Sequence, residues 1–339
     1  MKSTAIAPSN IAFIKYWGRK NEALKLPANG SISMNLSGLT TTTTVEFSSS
    51  YKEDDVLIYS SGGKQNVIAS PTAKQSHITN DPKVIAHLDR IRNLAGISEK
   101  AKVISENSFP RSTGLSSSAS GFAALTIAAA KAAGLDLSEK ELSILARQGS
   151  GSACRSIPDG FVEWLGGDTS EESYAVSLYK PDYWDIVDIV CVLTDEVKDV
   201  STTEGQKRAA TSPFYEVRQQ KIKDKIAKIK TYLKEKNFQA FGELVEAEAL
   251  ELHAIMLTSQ PSLIYLNPAT IAVMKAVKKW RDEGLPVHFT LNTGQNIHVI
   301  CQKSIAEDVV KRVKMFPETK KVIYNLPSIG VRVVDGHLF

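Results

Sequence analysis

Small and hydroxyl side chains dominate residues 110–121, which lie between a predicted strand and a predicted apolar helix. Small residues let the backbone approach a ligand closely, and the first turn of a helix presents unpaired N–H groups and a dipole that favours an anion. The segment therefore predicts a phosphate cradle, with a serine-rich helix cap as the competing interpretation. The sequence contains neither Gly-x4-Gly-Lys-Ser/Thr nor Gly-x-Gly-x-x-Gly, so the common P-loop and a dinucleotide fold are not indicated.

A second segment, residues 149–156, combines two glycines, three serines and Arg155. A guanidinium can bind a carboxylate or a phosphate bidentately, so this turn is a candidate anion site. An ordinary turn is the alternative. Cys154 lies beside the arginine, which could lower its thiol pKa, but no histidine base is nearby in the sequence. We therefore expect Cys154 to be a small buried packing residue.

The third segment, residues 9–20, places Lys15 within an apolar and aromatic stretch. An ammonium group is costly to bury unless an anion pairs with it, so Lys15 is a candidate ligand-binding group. The alternative is a lysine that extends into solvent from an edge strand.

Other patterns that were compared with catalytic or metal-binding motifs favour structural roles. Residues 61–64 match Ser-x-x-Lys, but the Gly-Gly between two predicted strands first indicates a turn. No Gly-x-Ser-x-Gly nucleophile elbow occurs. The histidines show no HExxH or other ligand spacing, and we expect each to be structural: His77, His87, His253, His288, His298 and His337.

Composition limits the function classes. The chain has 339 residues, 42% of them hydrophobic, and a net charge of only +4, which is too small and too scattered to indicate a nucleic-acid surface. Three cysteines without CxxC spacing support neither a disulfide scaffold nor a structural zinc site. No apolar stretch reaches the roughly 20 residues that span a bilayer, and no signal-peptide pattern is present. We expect a cytoplasmic protein that does not bind membranes.

Hydrophobic periodicity predicts the elements that position these segments. Alternation over the first sixty residues predicts strands, including separate strands at 31–36 and 40–47. Asp81 and Pro82 indicate a helix start, and Ser138 with Glu141 forms a capping box. The second half is predicted to be α+β, with helices at 215–235, 238–257, 267–282 and 305–315 and strands at 287–291, 297–301, 321–324 and 331–334.

Taken together, the three segments resemble the GHMP kinase superfamily, specifically its mevalonate-pathway decarboxylase branch. The similarity covers nearly the whole chain in the branch's order. It implies a GHMP fold of two α+β domains, residues 1–183 with the phosphate loop and residues 184–339, with the active site in the cleft between them. It also implies a homodimer, which is common in this family. The motifs are 10–18, 26–33, 109–119, 149–156, 161–164, 201–205 and 211–213.

The resemblance implies that ATP, with Mg²⁺ as its companion, phosphorylates the 3-hydroxyl of a 5-phosphorylated mevalonate, and that loss of this phosphate with CO₂ gives an isopentenyl product. Phosphate leaves far more readily than hydroxide. By resemblance, Asn10 and Arg155 hold the carboxylate, and Lys15 and Ser117 act at the transferring phosphoryl group. The metal ligands are not indicated. The remaining implied contacts are Tyr16, Trp17, Arg19, Ser150, Gly151 and Ser152 for the substrate, and Asn107, Gly114, Leu115, Ser116, Ser118, Lys198 and Ser201 for the nucleotide.

Asn292 departs from the family pattern. The branch normally has an Asp-Ala-Gly-Pro-Asn-like sequence here, whose aspartate orients or deprotonates the 3-hydroxyl, whereas this chain has Leu291-Asn292-Thr293-Gly294. An amide cannot act as that base, and losing a general base costs about 10²- to 10⁴-fold in rate. Either an aspartate was changed to trap bound substrates, or the chain is a natural relative that no longer phosphorylates the 3-hydroxyl. Arg111 is also unusual at its position in the loop. Either it adjusts phosphate recognition, or it lies on the surface.

The run from Ala28 to Leu36 looks most like bacterial mevalonate 5-phosphate decarboxylases. The expected function is therefore ATP-dependent decarboxylation of mevalonate 5-phosphate to isopentenyl phosphate. The alternatives are a mevalonate 5-diphosphate decarboxylase, an ATP-independent decarboxylase of mevalonate 3,5-bisphosphate, and a non-catalytic binding relative.

Overall fold

A computed structural model describes residues 1–60, 76–109, 114–196 and 198–339. The predicted turn at 61–64 and residues 110–113 of the predicted phosphate loop, including Arg111, lie outside the described residues.

The described chain is α+β, as predicted. Its strands are β1 Lys2–Ile14, β2 Arg19–Asn21, β3 Leu26–Pro27, β4 Ser31–Ser48, β5 Asp55–Ser60, β6 Ser76–Thr79, β7 Lys100–Asn107, β8 Phe161–Trp164, β9 Ala175–Tyr179, β10 Ile186–Val192, β11 Val287–Thr290, β12 Ile297–Gln302, β13 Lys321–Asn325 and β14 Arg332–Val333. Its α-helices are α1 Pro82–Ala95, α2 Ser117–Ala132, α3 Glu139–Gly149, α4 Thr202–Lys207, α5 Tyr215–Glu235, α6 Phe238–Thr258, α7 Pro268–Asp282 and α8 Ala306–Lys314.

The larger sheet is organised around the long strand β4. Strand β1 pairs antiparallel along nearly all of β4, with a register shift at Pro8/Ser9. On its other side, β4 pairs with β8 near its start and with β7 near its end. The predicted strands at 31–36 and 40–47 are therefore one strand, and the prediction of a break was wrong. Ser37 and Gly38 are exposed but continue the extended backbone.

The second sheet contains four antiparallel strands in the order β11-β12-β10-β13. Helix α6 packs against β11 and also contacts β1 of the larger sheet. The four strands predicted for the second half of the chain are confirmed, at slightly different bounds, as β11 to β14. Because β14 pairs with β1, the end of the chain returns to the larger sheet.

Helix α2 is the central helix of the first half and packs on β1 and β4. It is buried on most sides because its alanines and other small residues allow close approach of the strands beneath it. The predicted caps at Asp81 and Ser138 are confirmed: Asp81 accepts a hydrogen bond from the Lys83 N–H, and Ser138 and Glu141 form both bonds of the capping box.

One hydrophobic cluster joins the two halves of the chain. It includes Phe13 of β1 and Phe241 of α6, whose rings meet edge to face, and Trp184 at the start of the second half. The predicted domain boundary between 183 and 184 remains a prediction. Within the described ranges, no helix is long and apolar enough to cross a membrane.

Candidate active site

A cavity of about 300 Å³ lies where β1, the N-terminus of α2, the segment before α4 and the loop after β11 meet. All residues predicted from the sequence to form the site line this cavity except Asn10 and Leu115. The side chain of Leu115 is instead buried in the hydrophobic cluster, and its carbonyl accepts a hydrogen bond from Ser9. The structure therefore brings the three segments together.

Lys15 follows directly after β1 and is only 2% exposed, although it lines the cavity. Its Nζ donates to the carbonyl oxygen of Ala12 at 2.6 Å and to Oγ1 of Thr290 at 2.7 Å. Burial lowers the pKa of Lys15 to about 7, because removing the ammonium from water disfavours its charged form. The alternative of a lysine that extends into solvent from an edge strand is therefore wrong.

Arg155 lies on a short 3-10 helix, Gly151–Ser156, and is 4% exposed. Its Nη1 donates to Ser31 Oγ at 2.7 Å, and its Nη2 donates to Asn10 Oδ1 at 3.0 Å. Asn10 in turn donates to Ser156 Oγ at 2.8 Å. Asn10 thus lies behind Arg155 and fixes the guanidinium, while the arginine itself lines the cavity.

Aromatic residues form the wall beside Arg155. The ring of Tyr16 packs edge to face on Trp164 with 4.6 Å between centroids, and its hydroxyl accepts a hydrogen bond from Nε of Arg19 at 2.7 Å. Burial raises the pKa of Tyr16. Trp17 also contributes to the lining, although most of its indole packs in a separate hydrophobic cluster with Leu252.

The N-terminus of α2 faces the loop after β11. Ser116 adopts left-handed backbone geometry, with φ of 57°, and its Oγ accepts a hydrogen bond from Asn292 Nδ2 at 3.0 Å rather than capping the helix. Gly114 has φ of 91° and lies so near Gly294 that a Cβ would come within 2.6 Å of the Gly294 Cα. A side chain at Gly114 would therefore separate the two loops that form this end of the cavity.

Lys198 connects the segment before α4 to the same loop. Its Nζ donates to Thr202 Oγ1 at 2.6 Å and to the carbonyl oxygen of Thr293 at 2.8 Å, and burial lowers its pKa to about 8. Ser201 caps α4 by accepting a hydrogen bond from the Glu204 N–H. These contacts place a cation and a helix N-terminus opposite α2.

Sequence reasoning missed several residues that position the predicted ones. His253 donates from Nε2 to the Asn292 carbonyl oxygen at 3.1 Å, and burial lowers its pKa to about 4. Glu248 accepts a hydrogen bond from the backbone N–H of Lys15 at 3.1 Å. For Glu248, the only signal in the sequence was a glutamate at an apolar position of a predicted helix. Its partner Lys15 lies 233 residues away in the chain, so no local pattern indicates their contact.

Cys154 is a packing residue, as expected. Burial raises the pKa of its thiol to about 12, which outweighs the adjacent Arg155. Its sulfur lies in a small buried cluster with Val162, Trp164 and Ala175.

Two family descriptions match consecutive parts of the chain. Residues 7–175 match the diphosphomevalonate decarboxylase-like N-terminal domain. Residues 188–331 match the mevalonate 5-diphosphate decarboxylase C-terminal domain.

Full-length relatives share this similarity. The diphosphomevalonate decarboxylase of Ganoderma lucidum is 32% identical over 356 residues, covering 99% of this chain and 88% of the relative. The phosphomevalonate decarboxylase of Haloferax volcanii is 34% identical over 317 residues, covering 93% of this chain and 91% of the relative.

Solved structures agree in fold. A structure described as MDDEF in complex with MVAPP, AMPPCP and magnesium is 35% identical, with a TM-score of 0.87 and 99% of each chain covered. The mevalonate diphosphate decarboxylase of Enterococcus faecalis, described with a mevalonate diphosphate mediated ATP binding mechanism, is 33% identical, with a TM-score of 0.86 and 99% of each chain covered.

Proposed function

We propose, from the premise that the chain belongs to the diphosphomevalonate decarboxylase family, that it decarboxylates mevalonate 5-phosphate to isopentenyl phosphate at the expense of ATP. The family membership and the GHMP kinase fold inferred from the sequence are both confirmed. Decarboxylation of a phosphorylated mevalonate is the activity common to the named relatives. The choice of the monophosphate, and of the residues below, is our proposal.

The observation that carries the proposal is the convergence of Lys15, Arg155 and the N-terminus of α2 on one cavity. A substrate with a carboxylate and a phosphate needs cationic groups at two positions, and a phosphoryl donor needs a third site for its anionic end. Arg155 suits the carboxylate because its guanidinium is already held by Asn10 and Ser31 through neutral oxygens. The helix N-terminus at Ser117 and Ser118 suits the nucleotide phosphates.

Arg19 supports the monophosphate over the diphosphate. It lines the cavity beside Tyr16, as do Ser150 and Ser152. Its Nη1 is paired with Glu22 at 2.6 Å, and its Nε contacts Tyr16, so part of its charge and donor capacity is already used. The Haloferax volcanii relative, named for the monophosphate, is as similar to this chain as relatives named for the diphosphate.

The side chains of the cavity fit a magnesium ion only if the nucleotide phosphates supply the other ligands. In the described parts of the chain, no group of three or more His, Cys, Asp or Glu side chains is placed to hold a metal ion. Magnesium usually keeps several waters and binds substrate phosphates with one or two protein groups, so no such cluster is required. The hydroxyls of Ser116 and Ser118 would lie near it, and the ion would offset charge on the phosphates.

A second candidate function rests on Asn292. Its amide faces Ser116 and cannot accept a proton as a carboxylate does. If phosphorylation of the 3-hydroxyl is lost, the same cavity can still promote loss of phosphate and CO₂ from mevalonate 3,5-bisphosphate without nucleotide, because that step requires cations rather than a base.

The decisive experiment is the variant Asn292→Asp. We expect ATP-dependent CO₂ release from mevalonate 5-phosphate to rise, because a positioned carboxylate assists removal of the hydroxyl proton. Both proteins are assayed for CO₂ and ADP with mevalonate 5-phosphate, mevalonate 5-diphosphate and mevalonate 3,5-bisphosphate, with and without ATP.

Each of these assays has its own outcome that would contradict the proposal. A higher kcat/KM for the diphosphate in both proteins would overturn the monophosphate assignment. Turnover of the bisphosphate alone, without nucleotide, would favour the second candidate. Ligand binding without CO₂ release in either protein would indicate a binding relative. Asn292→Ala is the matched control, since it removes the amide without supplying a base.

We further propose a domain division at residues 183/184 and a homodimer. The dimer predicts a mass of about twice 37.0 kDa in light scattering. A mass of one chain at micromolar concentration would contradict it.

A further inference from the structure

Asn292 raises the question of where the proton of the 3-hydroxyl goes. Among the described residues that line the cavity, the carboxylate is that of Asp81, and it already caps α1 by accepting a hydrogen bond from the Lys83 N–H at 2.9 Å. Asp81 is the N-cap residue of α1, whereas Asn292 contacts Ser116 at the N-terminus of α2. Another group must therefore serve as proton acceptor if the chain phosphorylates its substrate.

We propose that Lys15, in its neutral form, accepts the proton of the substrate 3-hydroxyl in this chain, an inference that rests on the proposed function. An uncharged amine has two N–H donors and one lone pair. The two hydrogen-bond partners of Nζ, the Ala12 carbonyl oxygen and Thr290 Oγ1, are both acceptors. These two contacts satisfy the two N–H groups and leave the remaining tetrahedral position, which carries the lone pair, for a group in the cavity.

The surroundings of Lys15 make the neutral form accessible. The pKa of Lys15 is lowered to about 7; desolvation is the largest cause, and the positive charges of Arg155 and Arg218 act in the same direction. Glu248 of α6 and Asp188 of β10 act in the opposite direction. These opposing charges leave the amine and ammonium forms close in free energy near neutral pH, where a general base is most useful.

Other titratable groups around the site do not take this role. His253, on α6, donates to the Asn292 carbonyl oxygen, so the nitrogen nearest the loop carries a proton. The carboxylate of Glu248 is occupied by Arg218, Lys225 and the Lys15 N–H. Asp188 contacts His298 at 2.9 Å within the second sheet.

The proposed step balances as follows. The 3-oxygen attacks the γ-phosphorus, its O–H bond breaks, and the proton passes to the lone pair of Lys15 Nζ. The bond between the γ-phosphorus and the bridging oxygen breaks, and ADP leaves with that electron pair. Lys15 is then an ammonium. In the second step, the C3–O bond breaks with phosphate taking the electrons, the C1–C2 bond supplies the new double bond, and CO₂ departs.

The two steps make different demands on Lys15. The first needs a neutral amine, and the second needs a positive charge beside the departing phosphate. The variant Lys15→Arg separates them, because a guanidinium stays charged at accessible pH. We expect Lys15→Arg to lower ATP-dependent turnover of mevalonate 5-phosphate by at least 10²-fold while keeping decarboxylation of mevalonate 3,5-bisphosphate within about 10-fold of the unchanged chain.

A rescue variant guards against simple misfolding. In Lys15→Arg combined with Asn292→Asp, the new carboxylate supplies the missing base, and we expect ATP-dependent turnover to recover by at least 10-fold over Lys15→Arg. Lys15→Met is the matched control that supplies neither base nor cation, and it should lose both reactions. Retention of ATP-dependent turnover by Lys15→Arg would overturn the proposal.

The pH dependence gives a test without a substitution at Lys15. For the unchanged chain, kcat/KM should rise with pH through an ionisation near 7, because the base must be deprotonated; in Asn292→Asp this rise should weaken or move to lower pH. In ¹³C-lysine-labelled protein, the Cε resonance absent from Lys15→Met should titrate near 7. A titration above 9.5, or equal profiles for both proteins, would overturn the proposal. Absence of CO₂ release from every substrate would instead overturn the proposed function.

Discussion

Two buried clusters near Lys15, one around Arg218 and one around Arg155, differ in the partners of their arginine. Arg218 of α5 is paired with the carboxylates of Glu248 and Glu251, and Lys225 contacts the same two glutamates. Arg155, by contrast, contacts the neutral oxygens of Asn10 and Ser31. Both arginines are almost fully buried, but only Arg155 lines the cavity.

The charge of a hydrogen-bonding partner distinguishes a buried cation that serves the structure from one that is available to a ligand. Carboxylates compensate the charge of Arg218, whose Nη2 also donates to the Lys15 carbonyl oxygen at 2.9 Å and so stabilises the end of β1. Neutral dipoles orient Arg155 but leave its net charge uncompensated. A cation held in this way is prepared to bind an anion, because its own desolvation has already occurred during folding.

The largest expected effect comes from Arg218→Met. Removing the guanidinium leaves Glu248 buried with an incomplete set of partners, which destabilises proteins by about 3–5 kcal/mol. We expect a loss of this size in the free energy of unfolding, measured by urea denaturation. Glu251→Gln is the matched control: its side chain is 32% exposed, so we expect at most about 1 kcal/mol. Equal losses for both variants would remove the distinction between the two clusters.

Arg155→Gln tests the other cluster. Two charge-assisted hydrogen bonds to a carboxylate are expected to contribute about 3 kcal/mol in total, so kcat/KM for the phosphorylated mevalonate should fall by about 10²-fold. Calorimetric binding of the nucleotide analogue AMPPCP should change little, because the α2 N-terminus is separate from Arg155. Ser31→Ala, which removes one orienting contact, is the control with a smaller expected loss. A large loss of nucleotide binding would show that Arg155 supports the cavity generally.

The smallest expected effect is on the pH dependence of the free energy of unfolding, compared between the unchanged chain and Lys15→Met. The folded-state pKa of Lys15 is about 7, below its ordinary value of 10.5, so the unfolded chain binds more protons between these values. Stability of the unchanged chain therefore gains a contribution as pH rises through this window. Relative to Lys15→Met, it should gain about 1 kcal/mol between pH 7 and pH 8. If the difference in unfolding free energy between the two proteins stays constant with pH, the side chain of Lys15 is more hydrated than the structure indicates, and the prediction is wrong.

Local sequence signals predicted the caps at Asp81 and Ser138 and the helices of the second half, because each depends on residues within one or two turns. They failed for β4, which continues as one strand through residues 37–39 although its pairing with β1 shifts register there. The position of Asp81 in the cavity lining and the contact between His253 and the Asn292 carbonyl were not predictable, since they depend on distant segments.

The sequence alone was enough to predict three candidate anion-binding segments, the family they resemble, and Asn292 at a position where that resemblance implies an aspartate. These features follow from residue types and short spacings. Folding buried Lys15 between Ala12 and Thr290 and brought Asn10 into contact with Arg155. It also placed the carboxylate of Glu248 beside Arg218, whereas Arg155 contacts neutral oxygens. Burial and charge pairing decide these properties, and both depend on residues that folding brings together from across the chain.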